Sequence, residues 1–450
     1  MLGTVRHAPH KLSNLDKMGT GANSTGQCTK SQHAESSELR EFYERRPYPT
    51  PLTSLDEHRE LYKNPKRRRA LFHLLWPANR PRADLKILVA GCGTSQAARI
   101  ALREPDARVT GIDISELSLA HTQNLQRRYD LGNLSLHQLS IFDVHKLEQT
   151  FDLVVCTGVL HHFSDPDGGL RSLSSVLEHD GALQVMVYAR YGRTGIYMMQ
   201  EYCRLLGIAA SNQDLQDLAA FLECLSEDHP LAHLLPKGQD FRHPDALADA
   251  FLHPLDRPFT VPEVFSWLDR CGLVFGRWFE QAPYLPQCGA LAKTPHATRL
   301  RKLADRVQYA AAELFRGTIT QHNFVAYCHG NAATQAIRIE GGDWRNYIPI
   351  RLPWTRCIRD GALPRGSAAV LVNPAHRHRD LVLTISEPQY QLFNEIDGQR
   401  SLSEIVHPSG RDDSAALDFF RQLWEYDQIV FDASRVRKGS ISDATCKSGG

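Results

Sequence analysis

Gly91, Gly93 and Asp113 are the residues whose types and spacing ask for a ligand. Ile87 to Ala90 is a continuous apolar run, as a strand buried on both faces of a parallel sheet must be. Gly91 and Gly93 follow it and permit a tight turn in which no side chain keeps a ligand off the backbone. A helix is predicted to begin near Ser95. Asp113 closes the next apolar run, Arg108 to Asp113, and lies 113 − 93 = 20 residues after Gly93. That is about the spacing at which a carboxylate grips the two hydroxyls of a ribose. A nucleoside-bearing ligand is therefore expected.

The identity of that nucleoside turns on position 96. A dinucleotide fingerprint places a third glycine there, for close packing of helix on strand. The residue is Gln96, which disfavours NAD or FAD and fits a cofactor without a pyrophosphate. At this point the chain resembles the class I S-adenosylmethionine-dependent methyltransferases, over about residues 40 to 330. The resemblance implies a Rossmann-like seven-stranded sheet and S-adenosylmethionine as cofactor. Gly91, Cys92, Gly93 and Thr94 would lie beside the methionyl part, and Asp113 with Ile114 would hold the ribose. In many relatives an acid after the third strand meets the adenine. Here the matching loop carries Ser140 and Ile141, so either Ser140 accepts that hydrogen bond or Asp143 reaches in. After the fourth strand, Thr157, Gly158 and Val159 would line the methionyl pocket.

His161 and His162 follow directly. Imidazole titrates near working pH and can serve as a general base. The structural alternative is that both histidines fix their loop through backbone hydrogen bonds. Of the two, His161 is the one expected to face the cofactor and is the candidate catalytic residue. Arg190 and Arg193, at the rim after the fifth strand, either bind an anionic substrate or cap helix ends. Tyr43 and Arg45 to Tyr48 form either a lid or a proline-rich connector, and His253 to Pro258 either lines the substrate pocket or is a structural loop, the second being the expectation. No metal constellation is found, and none is required, because orientation of nucleophile and sulfonium methyl can contribute about 7–11 kcal/mol.

The elements that position these residues follow from pattern. Strands are predicted at 85–90, 108–113, 134–138, 151–156 and 182–188, alternating with helices at 116–129 and 168–177. That alternation means a parallel sheet with right-handed crossovers. A helix around Glu57 to Trp76 carries the basic run Lys66 to Arg69, read as a solvated face or a nucleic-acid contact. A mostly helical insertion is expected at 195–255. Thr260 to Glu263 is a capping box, opening a helix that ends at Gly272. Leu273 to Phe279 and Asn323 to Tyr327 are the last strands, joined by a long helix at about 298–314. In the family they complete the sheet as an antiparallel pair.

Four regions result: a disordered tail over 1–36, the catalytic domain over 37–330, an accessory domain over 331–435 and a second tail over 436–450. The accessory domain reads as helix, turn, helix, helix, strand, a small winged-helix-like α+β module. Through Leu392, Phe393, Ile396 to Gly398, Ile405 and Val406 it faintly resembles peptide-binding domains that accompany some peptide-modifying enzymes.

Composition narrows the function classes. Lysine plus arginine is 52 against 51 for aspartate plus glutamate, which gives no global pull towards nucleic acid or membrane. No apolar run approaches the ~20 residues of a bilayer span. The ten cysteines show no paired spacing. A soluble cytoplasmic enzyme is expected, with a small molecule or peptide as methyl acceptor and no membrane or nucleic-acid partner. The rival reading is a catalytically silent cofactor-binding regulator on the same fold.

Overall fold

A computed structural model describes residues 37, 39–232, 234, 235, 241, 243–339, 343–361, 363–407 and 413–436. Apart from Val436, the tails expected at 1–36 and 436–450 lie outside the described residues. Seven strands form the main sheet: β1 (Lys86–Ala90), β2 (Arg108–Asp113), β3 (Leu134–Gln138), β4 (Phe151–Thr157), β5 (Leu177–Tyr188), β6 (Leu273–Trp278) and β7 (Gln321–Cys328). Their order is β3-β2-β1-β4-β5-β7-β6. The first five are parallel, while β7 runs antiparallel to both β5 and β6.

The apolar run of β1 is buried on both faces. Leu88 and Ala90 join a core that includes the helices Pro166–Ser175 and Val261–Arg270. Ile87 and Val89 join a second core on the opposite face, with the helices Gln96–Arg103 and Glu116–Arg128. Period-two alternation sends neighbouring side chains to opposite sides, so one apolar strand serves two layers. Close packing of the first helix on the sheet is supplied from the strand side. A Cβ on Gly111 of β2 would lie 2.8 Å from the Cβ of Ala97. The helix therefore packs closely without a glycine at position 96.

Several predicted elements change. The helix expected around 57–76 is two, Asp56–Tyr62 and Pro65–Leu75, because Asn64 caps the second through Lys66 N at 3.0 Å and Pro65 starts it. The helix expected at 168–177 is Pro166–Ser175, and β5 begins at Leu177, with an irregularity around Gly181: Phe151 pairs with Leu177 but Leu153 with Ala182. The long helix expected at 298–314 is Ala297–Leu300 and Asp305–Arg316. Between them Leu303 N bonds Leu300 O at 3.0 Å, and the Gln308 amide closes on Leu303 O at 2.6 Å. The insertion folds as the helices Thr194–Leu206, Asn212–Glu223 and Pro244–Leu252 around their own apolar cluster.

Beyond residue 343 come β8 (Ile348–Arg351), β9 (Arg356–Ile358), β10 (Ala369–Val372), β11 (Val382–Ile385) and β12 (Ile429–Asp432). The helices Glu387–Asn394, Leu402–Val406 and Asp413–Glu425 precede β12, in the expected order. A capping box of Ser401 and Glu404 opens the second of them. The strand after the helices does not form a wing hairpin, however. It pairs antiparallel with β8, and β9, β10 and β11 form a separate antiparallel sheet.

This module docks through the basic run. Arg69 pairs with Asp432 at 3.0 Å, and Arg67 lies over the Trp354 ring at 5.5 Å. Ala70 and Leu74 pack on Ile350, Leu352 and Val430. The run is therefore in large part an internal interface. No helix among the described residues is long and apolar enough to cross a membrane.

Candidate functional site

The carboxyl ends of β1, β2, β4 and β5 open into a cavity of about 460 Å³, within the range of small-molecule and cofactor sites. Its floor is backbone. Gly91 adopts φ +65°, and a Cβ there would lie 2.5 Å from Val159 Cγ2. Only glycine lets the β1 and β4 loops approach this closely. Asp113 ends β2 with its carboxylate fixed: Gly93 N donates to Oδ2 at 2.8 Å and Ser115 N to Oδ1 at 3.0 Å. Burial pushes its pKa up, opposed by these backbone donors. Gln96 also lines the cavity, and its amide donates to Thr157 Oγ1 at 2.7 Å. The side chain in the third glycine's place thus ties the first helix to the β4 loop.

The N-terminal segment closes over this floor. Glu44 accepts from Glu116 N at 2.6 Å, at the start of the helix after β2. Thr94 Oγ1 donates to Pro49 O at 2.7 Å. Arg46 reaches the insertion through Asp245 at 3.2 Å and Asn212 at 2.7 Å. Tyr43, Tyr48 and Pro49 line the cavity, so this stretch is its cover and not a bare connector.

The far side of the cavity is built from side chains. Tyr43, His162, Tyr188, Arg193 and Asp249 all line it. Tyr43 O–H donates to Asp249 Oδ1 at 3.3 Å and its oxygen faces His253 Nε2 at 3.3 Å. Two backbone contacts assign the tautomers. His162 Nδ1 meets the carbonyl of Leu255 at 2.8 Å, so it carries the proton and Nε2 is a bare acceptor. Leu255 N–H donates to His253 Nδ1 at 3.1 Å, so the His253 proton sits on Nε2 and donates to Tyr43. Burial lowers the pKa of His162, and of His253 down to about 2, so both stay neutral. Arg193 is buried, stacks on Tyr188 with its guanidinium 3.4 Å from the ring centre, and pairs with Asp256 at 3.5 Å.

The Methyltransferase domain family matches residues 88–183, the segment from β1 to β5. An uncharacterised protein of Synechococcus sp. is 28% identical over 349 residues, covering 75% of this chain and 80% of its own. Malonyl-[acyl-carrier protein] O-methyltransferase of Acetivibrio thermocellus is 29% identical over 124 residues, 27% of this chain and 42% of its own. The chain thus spans less than half of that named enzyme. The solved structure of PKMT2 from Rickettsia typhi superimposes with a TM-score of 0.58 at 14% identity, covering 82% of this chain and 75% of that one. The same protein is also known in complex with AdoHcy, at a TM-score of 0.57. Residues 88–183 thus match a methyltransferase domain, and the fold around them is that of the class I S-adenosylmethionine-dependent methyltransferases.

Around this cavity, the expected cofactor residues divide. Gly91, Cys92, Gly93, Asp113, Ile114, Ile141, Thr157, Gly158 and Val159 line the cavity. Thr94 does not; it is fully buried and ties the cover down. Ser140 does not line it either. Its hydroxyl accepts from Phe142 N at 3.3 Å as a helix cap, and Asp143 pairs with Lys146 at 2.9 Å. The wall beside Asp113 is instead Ile114, Leu139 and Ile141.

His161 is fully buried behind Tyr188, with ring centres 3.9 Å apart, and neither ring nitrogen has a hydrogen-bond partner among the described residues. Burial and nearby positive groups hold its pKa well below the ordinary value. His162, not His161, reaches the cavity, although the two rings touch with centres 4.1 Å apart. Arg190 is a rim residue paired with Glu263 of the capping box at 2.9 Å.

The sequence places the segment from Tyr188 to Arg193 at the substrate rim but gives no role to Tyr188, and it does not reveal Asp249 and Met186; all three are cavity residues. It also did not link His162, Asp249 and His253, whose donor atoms lie within 4.8 Å of one another. One signal was available for Asp249, an acid in the otherwise apolar run Ala246 to Leu252. A cation among these three would need His253 to release the Nε2 proton that its Leu255 contact fixes there.

Proposed function

We propose that this chain binds S-adenosylmethionine across the β1, β2 and β4 loops and transfers its methyl group to a nucleophile entering from the β5 side. The observation that carries the reading is the glycine floor, Gly91 under Val159, ending at the fixed carboxylate of Asp113. These residues fit the cofactor: the Cβ-free floor leaves room for the methionyl chain, Asp113 takes the ribose hydroxyls, and Ile114, Leu139 and Ile141 give an apolar slot for the adenine. When bound, the sulfonium supplies an already activated methyl group.

The protein's share is positioning. Tyr43, Tyr48 and Pro49 cover the cavity and exclude water. Tyr188 is fixed from behind by His161 and from the side by Arg193. His162 Nε2 and the Asp249 carboxylate are the two proton acceptors aimed at an incoming N–H or O–H. A neutral, buried His162 orients the nucleophile by accepting its hydrogen bond, and Asp249 is the group able to hold the released proton. The acceptor is a small molecule or peptide.

Calorimetric titration tests the binding half. S-adenosylhomocysteine should bind and NAD should not, and ligand at ~100 times its dissociation constant should add about 2.7 kcal/mol of stability. Transfer of a labelled methyl group into a size-fractionated cell extract tests the enzyme half. Binding without any transfer would leave a cofactor-binding regulator instead.

A further inference from the structure

We infer that Arg377, carried by the C-terminal module, reads an anionic group of the methyl acceptor. This rests on the methyltransferase reading of the same cavity. Arg377 lies in the loop between β10 and β11 and lines the cavity together with Thr320 and Gln321 at the start of β7. Gln321 is the register partner of Tyr188. Two strands separate β7 from β1, so Arg377 stands on the acceptor side and away from the glycine floor.

The loop is held rigidly on both sides of this residue. His376 Nε2 meets Asp427 Oδ2 at 2.9 Å, and Asn373 Nδ2 donates to Asp427 O at 2.7 Å. Asp427 is in turn paired with Arg277 at 3.1 Å. On the other side, Asp380 takes Arg316 at 3.1 Å and Ala290 N at 2.7 Å. The module is thus fastened to the catalytic domain immediately around Arg377.

Charge and position together single it out. The arginines that line the cavity are Arg99, Arg193 and Arg377. Arg193 is neutralised by Asp256, and Arg99 stands on the first helix, on the glycine-floor side. Arg377 is exposed and has no hydrogen-bond or ionic partner among the described residues. A fixed loop that presents one unpaired guanidinium to a cavity suits bidentate capture of a carboxylate or phosphate.

The test uses the full chain with Arg377→Ala, Arg377→Lys and Arg379→Ala, the last an exposed neighbour outside the cavity. Labelled methyl transfer into the accepting extract fraction is measured against the amount of that fraction, with inorganic phosphate and glutarate as competitors. The expected result is at least a tenfold rise in the half-saturating amount for Arg377→Ala, at unchanged maximal rate and unchanged S-adenosylhomocysteine affinity. Arg377→Lys should recover part of it, and Arg379→Ala should match the parent. Inhibition of the parent by phosphate or by glutarate, lost in Arg377→Ala, assigns the anion as phosphoryl or carboxylate. Parental half-saturation in Arg377→Ala overturns the inference. Failure of the parent chain to bind S-adenosylhomocysteine would sink the methyltransferase reading instead.

Discussion

The two halves of the cavity are made of different material. The β1, β2 and β4 side is mostly backbone, with Gly91, Gly93 and Gly158 all at positive φ and a single carboxylate at its end. The β5 and β7 side is mostly side chains, brought from the N-terminal cover, the β4 loop, the insertion and the C-terminal module. A backbone floor recognises a constant ligand and tolerates little change. A side-chain wall can be rebuilt without disturbing the sheet. Cofactor affinity and acceptor chemistry should therefore be separable by mutation.

The largest expected effect breaks the cofactor half alone. With Asp113 holding the ribose as proposed, Asp113→Ala removes charge-assisted hydrogen bonds, each worth about 1.5–3 kcal/mol. S-adenosylhomocysteine affinity should fall about 100-fold or more, as read by calorimetry. Because Asp113 also accepts from Gly93 N and Ser115 N, the variant should lose about 1–2 kcal/mol of stability as well. Undiminished affinity would remove Asp113 from the site.

An intermediate effect sharpens the acceptor half. His162→Asn should lower methyl transfer about 10–100-fold with cofactor affinity intact, since its Nε2 faces the cavity. His161→Asn should act mainly on stability, costing about 1–3 kcal/mol, because an amide leaves more donor and acceptor positions unmet behind Tyr188 than a neutral imidazole does. The pH profile has a definite sign. Burial lowers the pKa of His162, so its acceptor form persists as pH falls below the ordinary value of ~6.5, and activity is lost only at lower pH. An acid limb centred near 6.5 that vanishes in His162→Asn would contradict this assignment. A rate loss confined to His161→Asn would restore the buried ring as the chemical one.

The smallest effect lies at the rim. Arg190 pairs with Glu263 in exposed positions, and such pairs contribute about 0.2–1 kcal/mol. Arg190→Ala should shift thermal unfolding slightly and leave the transfer rate unchanged. A rise in the half-saturating amount of acceptor comparable to that of Arg377→Ala would show that Arg190 also belongs to the acceptor wall.

Local sequence determined the cofactor half. An apolar pentad, two glycines and an acid 20 residues on are short-range features, so β1, the loop, the first helix and Asp113 were legible together. The last two strands were legible as elements, and their antiparallel pairing followed from the family resemblance. The strands between 356 and 385 were not, because their apolar pieces are three or four residues long and stand among Pro, Gly and Arg. The placement of the histidines was decided by tertiary structure. Adjacent residues in one turn carry the same sequence signal, yet packing against Tyr188 buries His161 and leaves His162 at the cavity. Asp249 and Tyr43 are 206 residues apart and meet only because the insertion packs against the N-terminal cover. Arg377 reaches the cavity only because Arg69, Arg277 and Arg316 pair with carboxylates of the C-terminal module. Such contacts are fixed by the packing of whole layers, and no local pattern of residue types encodes them.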